Sequence, residues 1–167
     1  MLGYGTSPIE LMAAEAMLKA EVFLEHFTYS AAYVTGTPTA LAASSSTSVD
    51  IVINSDSDFV IQEISLTAWT ALDTIIANPD YLILIVIAGA GRQIMNQAQH
   101  VLNYTGSYQA NRIPSRVPMP KLVQAANTIT TTLTNRTVTA ANRVDVMYRG
   151  FKIFYSGGNR QQIFHVL

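Results

Sequence analysis

Residues 127–154 read NTITTTLTNRTVTAANRVDVMYRGFKIF. The stretch predicts two strands with a polar turn region between them. From Thr128 to Thr134 β-branched residues dominate, and the large apolar side chains fall at Ile129 and Leu133. That spacing places both on one face of a strand and the threonines on the other. From Arg143 to Phe154, Val144, Val146 and Tyr148 share a face, and Gly150 interrupts the run as a bulge or a bend would. Asn135 and the segment Thr139 to Asn142 supply turn residues. A pair of long strands this late in a chain is expected to complete a sheet that earlier strands begin. Nothing in the stretch looks like an active site.

Upstream, the same grammar recurs. Phe27 to Val34 carries aromatic and β-branched residues, and Gly36 to Pro38 and Ala42 to Ser48 read as loop or weak strand. Ser48 to Ile53 alternates, and Asn54-Ser-Asp56-Ser-Asp58 is a turn cluster. Phe59 to Trp69 then alternates with one register change. Asp73 to Asp80 is a connection that ends on a turn signal. Leu82 to Ile87 is continuously apolar, as expected of a central strand covered on both sides. Arg92 to Val101 suits a strand or an irregular loop, and Asn103 to Arg116 a long polar loop. Val117 to Leu122, with Pro118 and Pro120, suits an edge strand. Downstream, Ser156 to Asn159 predicts a hairpin turn and Gln161 to Leu167 a returning strand.

The front of the chain differs. Ser7 can cap a helix, Pro8 suits its first turn, and Glu10 completes a capping box. Leu11, Ala14, Leu18 and Val22 form an apolar stripe, so a helix is expected to about Glu25. Glu10, Glu15, Glu21 and Glu25 make its other surface acidic. Such a helix either packs on a neighbouring copy or covers an edge of its own sheet. The expected organisation is a helical arm over residues 1–26 and a β-sandwich over 27–167. About eight strands with helix only at the front favour a mainly β chain. The expected fold is a jelly-roll-like antiparallel β-sandwich with an N-terminal α-helical arm, not a Rossmann-type fold.

Composition narrows the class of function. The 167 residues suffice for one domain with a real core. Charged residues are only 13% of the chain, about half the share usual for a soluble domain. A surface so poor in charge suggests contact with other copies or partners. The net charge of −1 hides an asymmetry: residues 1–80 hold ten acids against Lys19 alone, net −9, and residues 81–167 hold nine bases against Asp145 alone, net +8. Either the halves interleave and neutralise each other within one subunit, or an acidic face of one copy meets a basic face of the next. With no cysteine, disulfides, thiolate nucleophiles and thiolate metal sites are excluded. No basic segment followed by an apolar core opens the chain, so no secretory signal is expected. The longest apolar run, Tyr81 to Ala90, is half the length of about 20 residues that a membrane helix needs.

The search for chemistry returns little. Asp56-Ser57-Asp58 lacks the glycine and distant glutamate of a calcium loop and reads as a turn. His26, His100 and His165 have no metal-ligand spacing. No nucleophile elbow occurs, and Gly89-Ala-Gly91 lacks the third glycine of a dinucleotide loop. No catalytic residue, cofactor or metal ligand is assigned, and no enzyme is expected. Arginine outnumbers lysine seven to three, which favours interfacial ion pairs over nucleic-acid binding. The candidate interface residues are therefore Glu10, Glu15, Glu21 and Glu25 with Arg112, Arg116, Arg136 and Arg143.

Three sets of segments, taken in order, carry a resemblance. They are Asn54 to Ser65; Gly91-Arg92-Gln93-Ile94-Met95-Asn96 after an apolar strand; and Arg116 to Leu122, Asn127 to Asn135 and Tyr148 to Phe154. Together they resemble small jelly-roll virion structural proteins of tailed bacteriophages, over roughly Phe27 to Tyr155. The resemblance implies a capsid decoration or cement protein that binds between major capsid subunits. It implies localisation in the virion, dimers or trimers, and no nucleic-acid or membrane partner. Two other roles stay open. One is a neck, tail or fibre component. The other is a carbohydrate-binding adhesin using the loop Asn103–Arg116 with Tyr104 and Tyr108.

Overall fold

A computed structural model of the chain describes residues 22–70, 72, 74–76, 79–88, 94–104 and 115–155. They form β1 (Val22–Val34), β2 (Ser46–Val52), β3 (Asp58–Trp69), β4 (Tyr81–Ile87), β5 (Gln99–His100), β6 (Ser115–Val123), β7 (Thr128–Asn135) and β8 (Arg143–Tyr155), with one helical turn at Val101–Tyr104. The chain is mainly β, in two antiparallel four-stranded sheets ordered β1-β8-β3-β6 and β2-β7-β4-β5.

The pairing follows one rule. β1 pairs with β8, β2 with β7, β3 with β6 and β4 with β5, each antiparallel. Each strand meets its counterpart counted from the other end, like a long hairpin. That hairpin is rolled up, so that β8 also meets β3 and β7 also meets β4. The late pair β7 and β8 therefore does not complete a single sheet: the turn between them carries the chain from one sheet to the other.

Alternation builds the core between the sheets. Ile129 and Leu133 of β7 and Val144, Val146 and Tyr148 of β8 are all fully buried, as their spacing predicts. Thr131 is an exception to the expected threonine face. It lies in phase with Ile129 and Leu133 and is itself fully buried. Its hydroxyl bonds the Tyr148 hydroxyl, and its carbonyl accepts the Tyr33 hydroxyl at 2.6 Å. Three polar groups thus join the two sheets through the core. Burial, reinforced by the neighbouring Tyr148 and Asp50, pushes the Tyr33 hydroxyl far above its usual range, so it stays a donor. Replacing Tyr148 by Phe strips the buried Thr131 hydroxyl of this partner and is expected to cost about 1–3 kcal/mol. Adding Thr131→Val removes both partners and should restore part of the loss. Urea midpoints of the two variants check this, and a Tyr148→Phe midpoint equal to wild type refutes it.

The expected register change in β3 is present between Ile61 and Glu63. The extra residue, Gln62, brings Ile64, Leu66 and Ala68 onto the core face that Phe59 and Ile61 occupy before it. Gly150 faces this bulge and is not itself one; β8 runs through it without a break. β6, with its two prolines, lies at the edge of its sheet as predicted. β4 is not covered equally on both sides. Tyr81, Ile83, Ile85 and Ile87 are buried, while Leu82, Leu84 and Val86 are half-buried on the outer face.

The front of the chain requires a correction. Val22 to Glu25, expected to end the helix and the arm, is strand, in register with Lys152 to Tyr155. Val22-Phe23-Leu24 is β-branched and bulky. Long-range pairing with β8 overrides the helical spacing there. The rest of the expected helix, residues 105–114 of the expected loop Asn103–Arg116, and the final turn and strand lie outside the described residues, while Asn103 and Tyr104 belong to the helical turn and Ser115 and Arg116 begin β6.

Candidate interaction surface

Strand directions bring three connections to one end of the two-sheet body: 35–45, the described part of 70–80, and 136–142. Their shape is set largely by Asn135, the last residue of β7, which is only 1% exposed. Its amide nitrogen donates to the carbonyls of Ala42 at 3.1 Å and Thr139 at 2.8 Å. Its oxygen accepts the Thr137 backbone N–H at 2.9 Å and the Thr137 hydroxyl at 2.7 Å. One side chain thus uses four hydrogen bonds to hold two loops together.

On this frame two large apolar side chains face solvent. Val138, 87% exposed, stands between Thr137 and Thr139. Leu72, 88% exposed, tips a short turn closed by the Thr70 N–H to Thr74 carbonyl bond at 2.9 Å and a Trp69–Ile75 bridge. Large apolar side chains left in water at the loop end gain from burial against a partner surface.

Charge lies beside them. The Arg143 guanidinium lies 2.9 Å from the buried Asp145 carboxylate and 5.3 Å over the Trp69 ring. Asp80 receives His100 at 3.2 Å and Arg136 at 3.7 Å. Both arginine side chains remain more than half exposed. The Arg136–Asp80 pair is half-exposed on both sides and contributes little to stability, so Arg136 can turn toward a partner at small cost, whereas Arg143 is held by a buried carboxylate.

The structure thus separates the residues expected to form an interface. Arg136 and Arg143 belong to this loop end. Arg116 is on β6 opposite Glu63, and Glu25 is on β1 opposite Lys152. Glu10, Glu15, Glu21 and Arg112 lie outside the described residues. The charge asymmetry has a physical account here. Among the described residues, Glu25 lies opposite Lys152 and Glu63 opposite Arg149 in strand register, and Asp80 meets Arg136, so strands from the two halves interleave and bring these acids beside bases of the same subunit.

Asp58, in the turn weighed as a calcium loop, is 1% exposed. Its carboxylate accepts the Ala125 N–H at 2.7 Å and the Tyr155 hydroxyl at 2.8 Å. It ties the β6–β7 turn to the end of β8. Among the described residues, no three histidines or carboxylates come together as a metal site requires. A shallow depression of about 440 Å³ lies over the β3 bulge, lined by His26, Thr28, Gln62, Glu63 and Arg149.

Comparison of the chain with protein-family models, curated proteins and solved structures found no match.

Proposed function

We propose that this chain is a structural protein of a tailed-bacteriophage particle. It would be a jelly-roll decoration or cement protein whose work is to bind between major capsid subunits. The nested order of eight strands over two sheets supports the jelly-roll reading. The observation that carries the functional reading is the loop end. There Leu72 and Val138 are exposed at the same end of the body as Arg136 and the Arg143–Trp69 pair, and the loop of Val138 is held by the buried Asn135. A low-charge body that carries exposed apolar side chains and arginines at one end is suited to protein contact.

The test is co-sedimentation with capsids assembled without the protein. Wild type is expected to pellet with them at moderate salt. The double variant Leu72→Ser/Val138→Ser should bind at least about tenfold more weakly, the loss of one good anchor. Its unfolding free energy should stay within about 0.5 kcal/mol of wild type, because both side chains are exposed. No binding by wild type overturns the proposal. Equal binding by the variant removes the loop end as the contact. A labelled copy imaged on whole particles separates a shell position from a neck, tail or fibre position.

A further inference from the structure

We infer that β1 is the self-association edge of this protein, and that two copies join by antiparallel β1–β1 pairing about a two-fold axis through Thr28. The inference names a contact for the dimers or trimers expected of a capsid decoration protein and rests on that proposed reading.

A sheet edge is a row of unsatisfied backbone donors and acceptors, and folded proteins usually blunt it. Three of the four edges here are blunted. β5 is two residues long. β6 carries Pro118 and Pro120, and its register with β3 breaks. β2 is seven residues long with Asp50 near its middle. β1 is different. It spans thirteen residues, contains no proline, glycine, lysine or arginine, and keeps one unbroken register with β8. Among the described residues it pairs only with β8.

The side chains favour a second copy as the occupant. Thr28 is the midpoint of β1, so a two-fold axis there aligns all thirteen residues of each strand. Residue pairs then sum to 56. Phe23 opposes the Tyr33 of the other copy, and Phe27 opposes its Tyr29, giving aromatic cross-strand pairs. Phe23, 67% exposed in one subunit, gains a partner. Glu25, the only formal charge on the strand, opposes Ala31, so no like charges meet. The interface is isologous, as a closed dimer requires. It joins two four-stranded sheets into one continuous sheet. The contact is a single strand edge about 43 Å long at about 3.3 Å per residue. That places it among small interfaces, with dissociation in the micromolar range.

Because the chain has no cysteine, one introduced thiol reports its own position. Thr28 is exposed, and residues opposed across antiparallel strands have Cα atoms about 4.5–5.5 Å apart, within disulfide range. Wild type at about 100 μM, above the expected dissociation range, should be dimeric by light scattering. Thr28→Cys should form a covalent dimer under mild oxidation, while Ser48→Cys on β2 should not. Thr28→Lys, which sets two ammonium groups on the axis, should be monomeric, and should melt with wild type once both are diluted below the dissociation range. A dimer or trimer in which Thr28→Cys fails to cross-link overturns the β1 assignment and leaves self-association standing. A wild type that stays monomeric overturns both, whereas loss of capsid binding alone bears only on the proposed function.

Discussion

Gly150→Ala is expected to destabilise the protein by about 4 kcal/mol or more, a loss that marks a specific structural fault. A Cβ built on Gly150 falls 1.7 Å from the carbonyl oxygen of Val60 and 2.9 Å from its carbonyl carbon. Both atoms are backbone of Val60, held in the ladder opposite Phe151 just before the Gln62 bulge. No side-chain rotation relieves the clash, so β3 or β8 must move. Folded domains have only about 5–15 kcal/mol of stability in all, so low soluble yield and a greatly lowered urea midpoint should follow. Gly36→Ala is the control. Gly36 has φ +82° and nothing within 4 Å of an added Cβ. Its cost should come from the left-handed backbone alone, about 1–2 kcal/mol. If Gly150→Ala unfolds at the same urea concentration as Gly36→Ala or later, the close approach at the bulge is not real.

The second large effect is at Asn135. Asn135→Ala removes four hydrogen bonds at a buried site and leaves the Ala42 and Thr139 carbonyls without this donor. A cost of about 2–4 kcal/mol is expected, since each stranded buried group contributes about 1–3 kcal/mol and the loops can relax toward water. Asn135→Asp is the sharper test. It keeps the shape and the oxygen that accepts from Thr137, but sets a second carboxylate oxygen against two carbonyl oxygens. It should be at least as damaging as alanine at neutral pH. Hydrogen exchange should quicken in residues 36–45 and 136–142 for both variants, while the amides of β8 keep their relative protection. Wild-type exchange in those loops would show that Asn135 does not hold them.

These two residues also mark where sequence reading succeeds and where it stops. A period of two is written in Ile129 and Leu133 and in Val144, Val146 and Tyr148, and the core faces follow from it. The β3 register change and the prolines of β6 were legible for the same reason. They are local breaks in a local pattern. What a period of two cannot state is which strand is the neighbour. Nothing in Thr128–Asn135 or Arg143–Tyr155 says that they join different sheets. Thr131 was missed because a threonine in the core is allowed only once Tyr148 and Tyr33 arrive from the other sheet. Val22 to Glu25 was misread because its strand partner lies about as far along the chain as the fold extends. Asn135 was legible as a turn residue, but its partners Ala42, Thr137 and Thr139 come from two loops, distant in sequence, that only the folded chain brings to the same end.

The candidate surface divides in the same way. The preference for arginine pointed to interfacial use, and Arg136 and Arg143 are at the loop end. Their partners Asp80, Asp145 and Trp69 depend on topology. Leu72 and Val138 carried a signal that periodicity reasoning passes over. Each is a large apolar residue in a polar turn that no strand pattern absorbs.

The nested pairing has a consequence for synthesis. Val22 is in register with Tyr155, so the first described strand finds its sheet neighbour only after the last one has left the ribosome. Every earlier strand of that sheet must wait beside an incomplete ladder, and contacts so distant in sequence form slowly. The sheet of β1 therefore closes only once β8 is available. For the same reason Val22 and Tyr155 lie side by side, and a short linker joining those two residues would tie the roll shut and allow new ends to be cut elsewhere.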